Sequence, residues 1–311
     1  MARFPALVRF ATHEFAGAIV TQHTARRSAL IQIHIAVLLA GGTGLFGKLL
    51  DLSPMAITCG RTLVGSVALA VVAIFLRVDL RLRGLRSSAL LALSGVALAA
   101  HWVTFFHSIQ ISTVAVGLLA FSTFPLMVTF LEPVFFRERL HRRDMIVAVI
   151  VTAGIILVTP SFDVSNRLTQ GVLWGLLSAL LCALVSLLSR FAAGVYPATA
   201  AAFYQQAITA LCTLPFVLND CPAFTLRDGL LLVLLGVVFT ALLQVLIITS
   251  LRHVRAQVAS VMFGLEPLYG IAFAWLLLAE VPAMRTLLGG ALICGAVVWI
   301  SLTHSSHAPE S

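Results

Sequence analysis

The chain has 311 residues, of which 60% are hydrophobic and only 10% charged, against roughly 25% charged in an ordinary soluble domain. Twenty basic and 12 acidic side chains cannot cover the outside of a folded chain of this size, so a water-soluble fold is excluded and lipid must solvate the surface. The formal net charge of +8 would suggest a nucleic-acid partner in a soluble protein, but here the basic residues cluster between apolar runs, where they set membrane orientation.

Only helices and closed barrels satisfy their backbone inside hydrocarbon, and long apolar runs without period-two alternation select helices. The expected fold class is therefore an all-α integral membrane protein. A span needs about 20 apolar residues. In chain order, spans are expected near 30–50, 58–76, 88–109, 115–136, 145–160, 171–191, 199–218, 229–250, 257–279 and 284–303. Residues 1–29 read as a mobile cytoplasmic tail, because the apolar patch Phe15 to Val20 is too short for a signal-peptide core. Residues 304–311 form a short C-terminal tail. With both termini cytoplasmic, every basic residue but Lys48, Arg61, Arg167, Arg227 and Arg285 falls inside, a strong positive-inside bias.

The sequence also matches itself at an offset of 142. Lys48 falls on Arg190, Ser108 on Ser250, Pro125 on Pro267 and Glu138 on Glu280. Each unit (30–160 and 170–303) carries five spans, so the second must enter the membrane upside down relative to the first. Such inverted repeats let a central site face the two sides in turn.

Ionisable groups inside hydrocarbon face a cavity or a partner. Glu266 stands first among them, because the following Pro267 lacks an amide hydrogen and disturbs the helix at mid-span. It either titrates as a proton or substrate-amine site, or stays protonated and donates one structural hydrogen bond. Tyr269, three residues on, shares its helical face. Glu132 repeats the Glu-Pro pattern nearer a helix end, where Arg137 or Arg139 would pair with it. Glu138 and Glu280 read as first-turn carboxylates favoured by the helix dipole. His101 either lines the cavity or packs through a hydrogen bond, whereas its neighbour Trp102 points elsewhere. The offset sets Gln244 against Trp102 as the floor of a central site, and Tyr204, Gln205 and Gln206 form a polar cluster in the seventh span. Lys48 and Arg61 are expected to snorkel to the headgroups, or to gate an anionic ligand. Gly41, Gly42, Gly44, Gly47, Gly171 and Gly175 permit close helix contact, expected between the first and sixth spans.

With Gly44, Gly47 and Lys48 in the first span, Arg61 opening the second, the stretch HWVTFFHSIQISTVAVGLLAFSTFP from His101 and the two Pro-to-Glu segments, the chain resembles the EamA domain family of the drug/metabolite transporter superfamily. The resemblance implies a secondary transporter in the bacterial inner membrane, moving a small, amino acid-like or amphipathic metabolite by alternating access, with proton coupling. A channel or a flippase without ion coupling is the alternative. One departure stands out: Phe203 occupies the place of Arg61 in the second unit. No soluble cofactor domain, zinc motif or HExxH hydrolase motif occurs, so no cofactor, metal or enzyme activity is expected. The expected partners are a small-molecule substrate and the lipid bilayer, with monomer and homodimer both left open.

Overall fold

The computed structural model describes residues 27–304 apart from 137–141, 162, 193–194, 221–222, 252–253 and 255. Glu138, Arg137, Arg139 and most of both tails therefore lie outside the described residues. Among the described residues all regular secondary structure is helical, with no strand.

The helices are α1 (Arg27–Leu49), α2 (Pro54–Phe75), α3 (Leu85–Ile111), α4 (Val114–Phe136), α5 (Arg142–Val158), α6 (Arg167–Ala192), α7 (Ala198–Asp220), α8 (Leu226–Ser250), α9 in two pieces (Ala256–Phe263 and Glu266–Leu278) and α10 (Met284–His304). Seven of them, α1 to α4 and α6 to α8, are long and apolar enough to cross a membrane. Short connections make successive helices antiparallel. We call the end where α1 begins proximal, and the end holding the α1–α2, α3–α4, α5–α6, α7–α8 and α9–α10 connections distal.

Helix starts follow local chemistry. Ser53 caps α2 by accepting from the Ala56 amide, with Pro54 in the first helical position. Thr113 caps α4 through the Val116 amide, and Thr225 and Asp228 form a reciprocal capping box at α8.

The 142 offset is visible in the backbone. α4 breaks at Ser122 and Thr123 between Val114–Phe121 and Phe124–Phe136, and α9 breaks at Gly264 and Leu265 between Ala256–Phe263 and Glu266–Leu278. Both halves of α4 and both halves of α9 coincide when shifted by that offset. Pro125 and Pro267, just after the breaks, are the cause. Each lacks the N–H that would reach the carbonyl four residues back and crowds that carbonyl with its ring.

The repeats meet around a pseudo-two-fold axis. On α5 and α10, Gly154 abuts Gly289, while Val147 and Ala296 share a buried cluster. The offset converts each pair into the other. Two features break the symmetry: α1 turns at Gly44 and Leu45, and α8 widens into a π-helical stretch, Val237–Leu242. They touch, since a Cβ on Gly42 would lie 2.7 Å from the Phe239 ring.

The glycine faces differ from expectation. Gly41 of α1 packs on the α9 backbone at Glu266 and Gly270, and Gly44 and Gly47 pack on Ile109 of α3. Gly171 and Gly175 of α6 instead face α3 and α4 at Ser108, Ser112 and Gly117. The first and sixth spans thus use their small residues within their surroundings rather than against each other.

A Cβ on Gly289 would come within 2.6 Å of the Gly154 carbonyl oxygen, whereas one on Gly295 would meet nothing within 4 Å. Gly289→Ala should therefore destabilise the protein by about 1–3 kcal/mol, and Gly295→Ala should leave it unchanged, as measured by thermal unfolding of both variants in the same detergent.

Candidate functional site

The two helix breaks face one cavity of about 360 Å³. Phe121, Ser122, Phe124 and Pro125 line it from α4, and Phe263, Gly264, Glu266 and Pro267 from α9. Ser186 of α6, Ile247 of α8, and Cys294 and Val297 of α10 complete the wall. The lining continues to Ala259 and to Leu251, which is 43% exposed and lies near the proximal end.

The lining is largely apolar, and Glu266 is its ionisable group. Among the described residues its carboxylate has no hydrogen-bond or ion-pair partner. It occupies the first turn of the second α9 half, where unpaired backbone amides and the helix dipole favour negative charge. A cation or a proton is the natural complement of such a group in low dielectric.

At the distal end the bundle is closed. The Lys48 ammonium donates to the Gln110 and Ser112 carbonyls at 3.2 and 2.8 Å, where α3 ends, a position that favours a cation. The Gln110 amide donates to the Leu52 carbonyl at 2.8 Å. Glu280 accepts from the Val114 amide at 2.9 Å, so the α9–α10 connection caps the start of α4. Beneath these contacts lies an apolar plug that includes Phe46, Ile57, Phe105, Phe106, Ile109 and Leu118.

Within this plug sits a guanidinium. Arg61, 2% exposed, stacks on Trp102 with 3.6 Å between its central carbon and the ring centroid. Its Nη2 donates to the Thr240 hydroxyl at 2.9 Å. That hydroxyl in turn donates to the Leu235 carbonyl five residues back at 2.9 Å, the spacing of the π-helical stretch. Nε and Nη1 of Arg61 and Nε1 of Trp102 have no hydrogen-bond partner. A desolvated cation–π contact returns about 2 kcal/mol, less than the several kcal/mol that burying an ion costs. Arg61 is thus held at a net expense.

A bundle of apolar helices in two inverted, proline-broken halves around a one-sided cavity is the architecture of a carrier, and the EamA-like transporter family model matches residues 27–159 and again 169–302. The chain belongs to the EamA-like transporter family. It is 29% identical over 216 residues to the Pseudopaline exporter CntI of Pseudomonas aeruginosa, covering 69% of this chain and 75% of that protein. The Uncharacterized transporter YxxF of Bacillus subtilis is 25% identical over 181 residues, 57% of this chain and 58% of the relative. One solved crystal structure aligns with a TM-score of 0.65 at 18% identity, over 91% of this chain and 98% of the other, a likeness of fold. The protein is a multi-pass membrane transporter.

Measured against the sequence expectations, this EamA-like transporter brings Glu266 and both prolines together and distributes the other candidates elsewhere. Tyr269 does not line the cavity; its hydroxyl meets His34 Nε2 of α1 at 2.7 Å, because Gly41 draws α1 onto that side of α9. His101 is buried and packs through hydrogen bonds, its Nδ1 lying 3.0 Å from the Ser178 carbonyl oxygen and 2.9 Å from the Ser178 hydroxyl. Gln205 donates to the Ser94 and Ser189 hydroxyls at 2.6 and 2.8 Å and ties α7 to α3 and α6.

Several positions need correction. Arg61 does not snorkel: α2 begins at Pro54, so this residue lies about two turns inside the helix. Neither Trp102 nor Gln244 lines the Glu266 cavity; Trp102 packs against Arg61 instead. Glu132 pairs with Arg190 of α6 at 3.0 Å, a residue 58 positions away that also lies 4.1 Å over the Phe136 ring; its expected partners Arg137 and Arg139 lie outside the described residues. Lys48 binds carbonyl groups at the α3 end rather than headgroups, and Glu280 caps α4 rather than its own following helix. Thr240, Phe121 and Ser186 carried no signal in sequence, being ordinary members of apolar runs.

Removing the Glu280 cap should loosen the distal closure by about 1 kcal/mol, roughly a fivefold change in opening. In a cysteine-free background bearing Ala115→Cys, Glu280→Ala should raise the maleimide labelling rate by about that factor; an unchanged rate would show that the contact does not hold the distal end shut.

Proposed function

We propose that the protein is a secondary carrier that exports a small, amine-bearing metabolite of amino-acid type by alternating access, coupled to protons through Glu266. The observation that carries this reading is the unpartnered carboxylate at a paired helix break, inside a cavity that extends toward the proximal end while the distal end is closed. A carboxylate in that setting can hold either a proton or the ammonium of a substrate, but not both at once. Competition between the two is the simplest form of antiport, because proton binding on one side displaces the substrate that was carried there.

All ten helices cross the bilayer in this reading, with the shorter α5, α9 and α10 completing two inverted sets of five. The positive-inside distribution supports cytoplasmic termini in a bacterial inner membrane, and in that orientation the open end is cytoplasmic. Similarity to an exporter supports the outward direction. Distal closure by Lys48, Gln110 and Glu280 favours a carrier over a channel, since a channel needs both ends open together.

In proteoliposomes, flux of a ¹⁴C-labelled amino-acid mixture should saturate, show counterflow and respond to an imposed pH gradient. Glu266→Gln, which resembles the permanently protonated state, should reduce the pH-driven component by at least roughly tenfold. Full pH-driven flux in Glu266→Gln would remove the coupling role, and flux that fails to saturate would remove the carrier.

A further inference from the structure

We propose that Arg61 and Trp102 form a subsite for an anionic oxygen group of the transported molecule, with a carboxylate as its intended occupant. The inference deepens the carrier reading and rests on it. Its basis is a set of three buried N–H donors, Arg61 Nε, Arg61 Nη1 and Trp102 Nε1, that have no acceptor. Native interiors leave few such groups unpaired, and a charged one is the costliest. No carboxylate among the described residues neutralises Arg61, whose one hydrogen bond goes to the neutral Thr240 hydroxyl. The π-helical stretch brings Thr240 to it, and the Trp102 face fixes the guanidinium plane. A planar, oriented cation with spare donors is suited to a carboxylate or phosphate.

The subsite is separated from the Glu266 cavity by an aromatic partition. Phe121 lines the cavity, and its ring lies 5.2 Å from His101 and 5.4 Å from Phe105. Phe105 lies 5.5 Å from Trp102, which carries Arg61. Phe121 is also the last residue before the α4 break, so a change of angle at that break displaces the partition first. Arg61 sits in the distal half of α2 within the apolar plug, and in this proposal opening of the distal end parts the plug and joins the subsite to the cavity. A substrate with an ammonium and an anionic group would then span Glu266 and Arg61. Because Phe203 replaces Arg61 in the second repeat, the repeats supply a single cation of this kind.

The test uses the purified full-length protein and its thermal stabilisation by L-amino acids, each paired with its amide, and by glycerol 3-phosphate paired with glycerol. At least one acid should bind roughly tenfold more tightly than its amide, and this ratio should fall toward one in Arg61→Gln. Arg61→Lys should retain part of it, and Trp102→Phe should lower it, since the first keeps the charge with a different donor geometry and the second keeps an aromatic face without the indole N–H. A preference confined to the phosphate ester would support the anion subsite and assign phosphate as its group. No preference for any anionic member in the wild type, or a preference that survives Arg61→Gln, would overturn the proposal. Should Arg61→Gln fail to fold, an undiminished preference in folded Arg61→Lys and Trp102→Phe would do so. An acid preference with unsaturable flux would sink the carrier and keep the subsite, while saturable flux without preference would sink the subsite alone.

Discussion

Two prolines in the middle of apolar helices set the shape of this protein. In hydrocarbon a backbone carbonyl has no water to turn to, so the donor missing at Pro125 and Pro267 must be accommodated by a local break. Both breaks turn toward the same space between the repeats. The cavity is where the bundle can tolerate an irregular backbone, and Glu266 adds to that tolerant spot a group able to change its charge. Site and fold defect share one origin.

The second constraint is the inequality of the halves. Symmetric positions carry the scaffold: the breaks, the Gly154 and Gly289 contact and its Val147 and Ala296 image. Chemistry resides where symmetry fails. Glu266 faces Phe124 under the offset, Arg61 faces Phe203, and Trp102 faces Gln244. The turn in α1 and the π-helical stretch in α8 meet beside Arg61. An inverted pair of identical bundles could only offer duplicate groups, whereas this one offers a carboxylate on one side of an aromatic partition and a guanidinium on the other.

Much of the scaffold is legible from residues alone, because lipid makes the rule for a helix simple and proline acts locally. Pro267 marks one break, and the offset of 142 carries it to Pro125, where the other lies. Side-chain partners are less legible. Hydropathy alone places the start of α2 too late and so sets Arg61 at its end, although Ser53 and Pro54 already carry a cap and a first-turn signal. Neighbours in sequence do not reveal the partner of Glu280 or the Arg190 contact of Glu132, since the Val114 amide and Arg190 come from other helices. The π-helical stretch that positions Thr240 leaves no trace in composition, because Val237 to Leu242 reads as any apolar run.

The central claim is that the two ends open in opposition around one cavity. Distance measurements between spin labels test it most directly, with one pair at Val134 and Leu251 on the proximal end and another at Asp51 and Val281 on the distal end, all exposed positions. When pH or bound ligand shifts the population, the proximal distance should shorten as the distal distance lengthens. If both distances change in the same sense, or one changes while the other stays fixed, the two halves do not exchange their arrangements and the account is wrong.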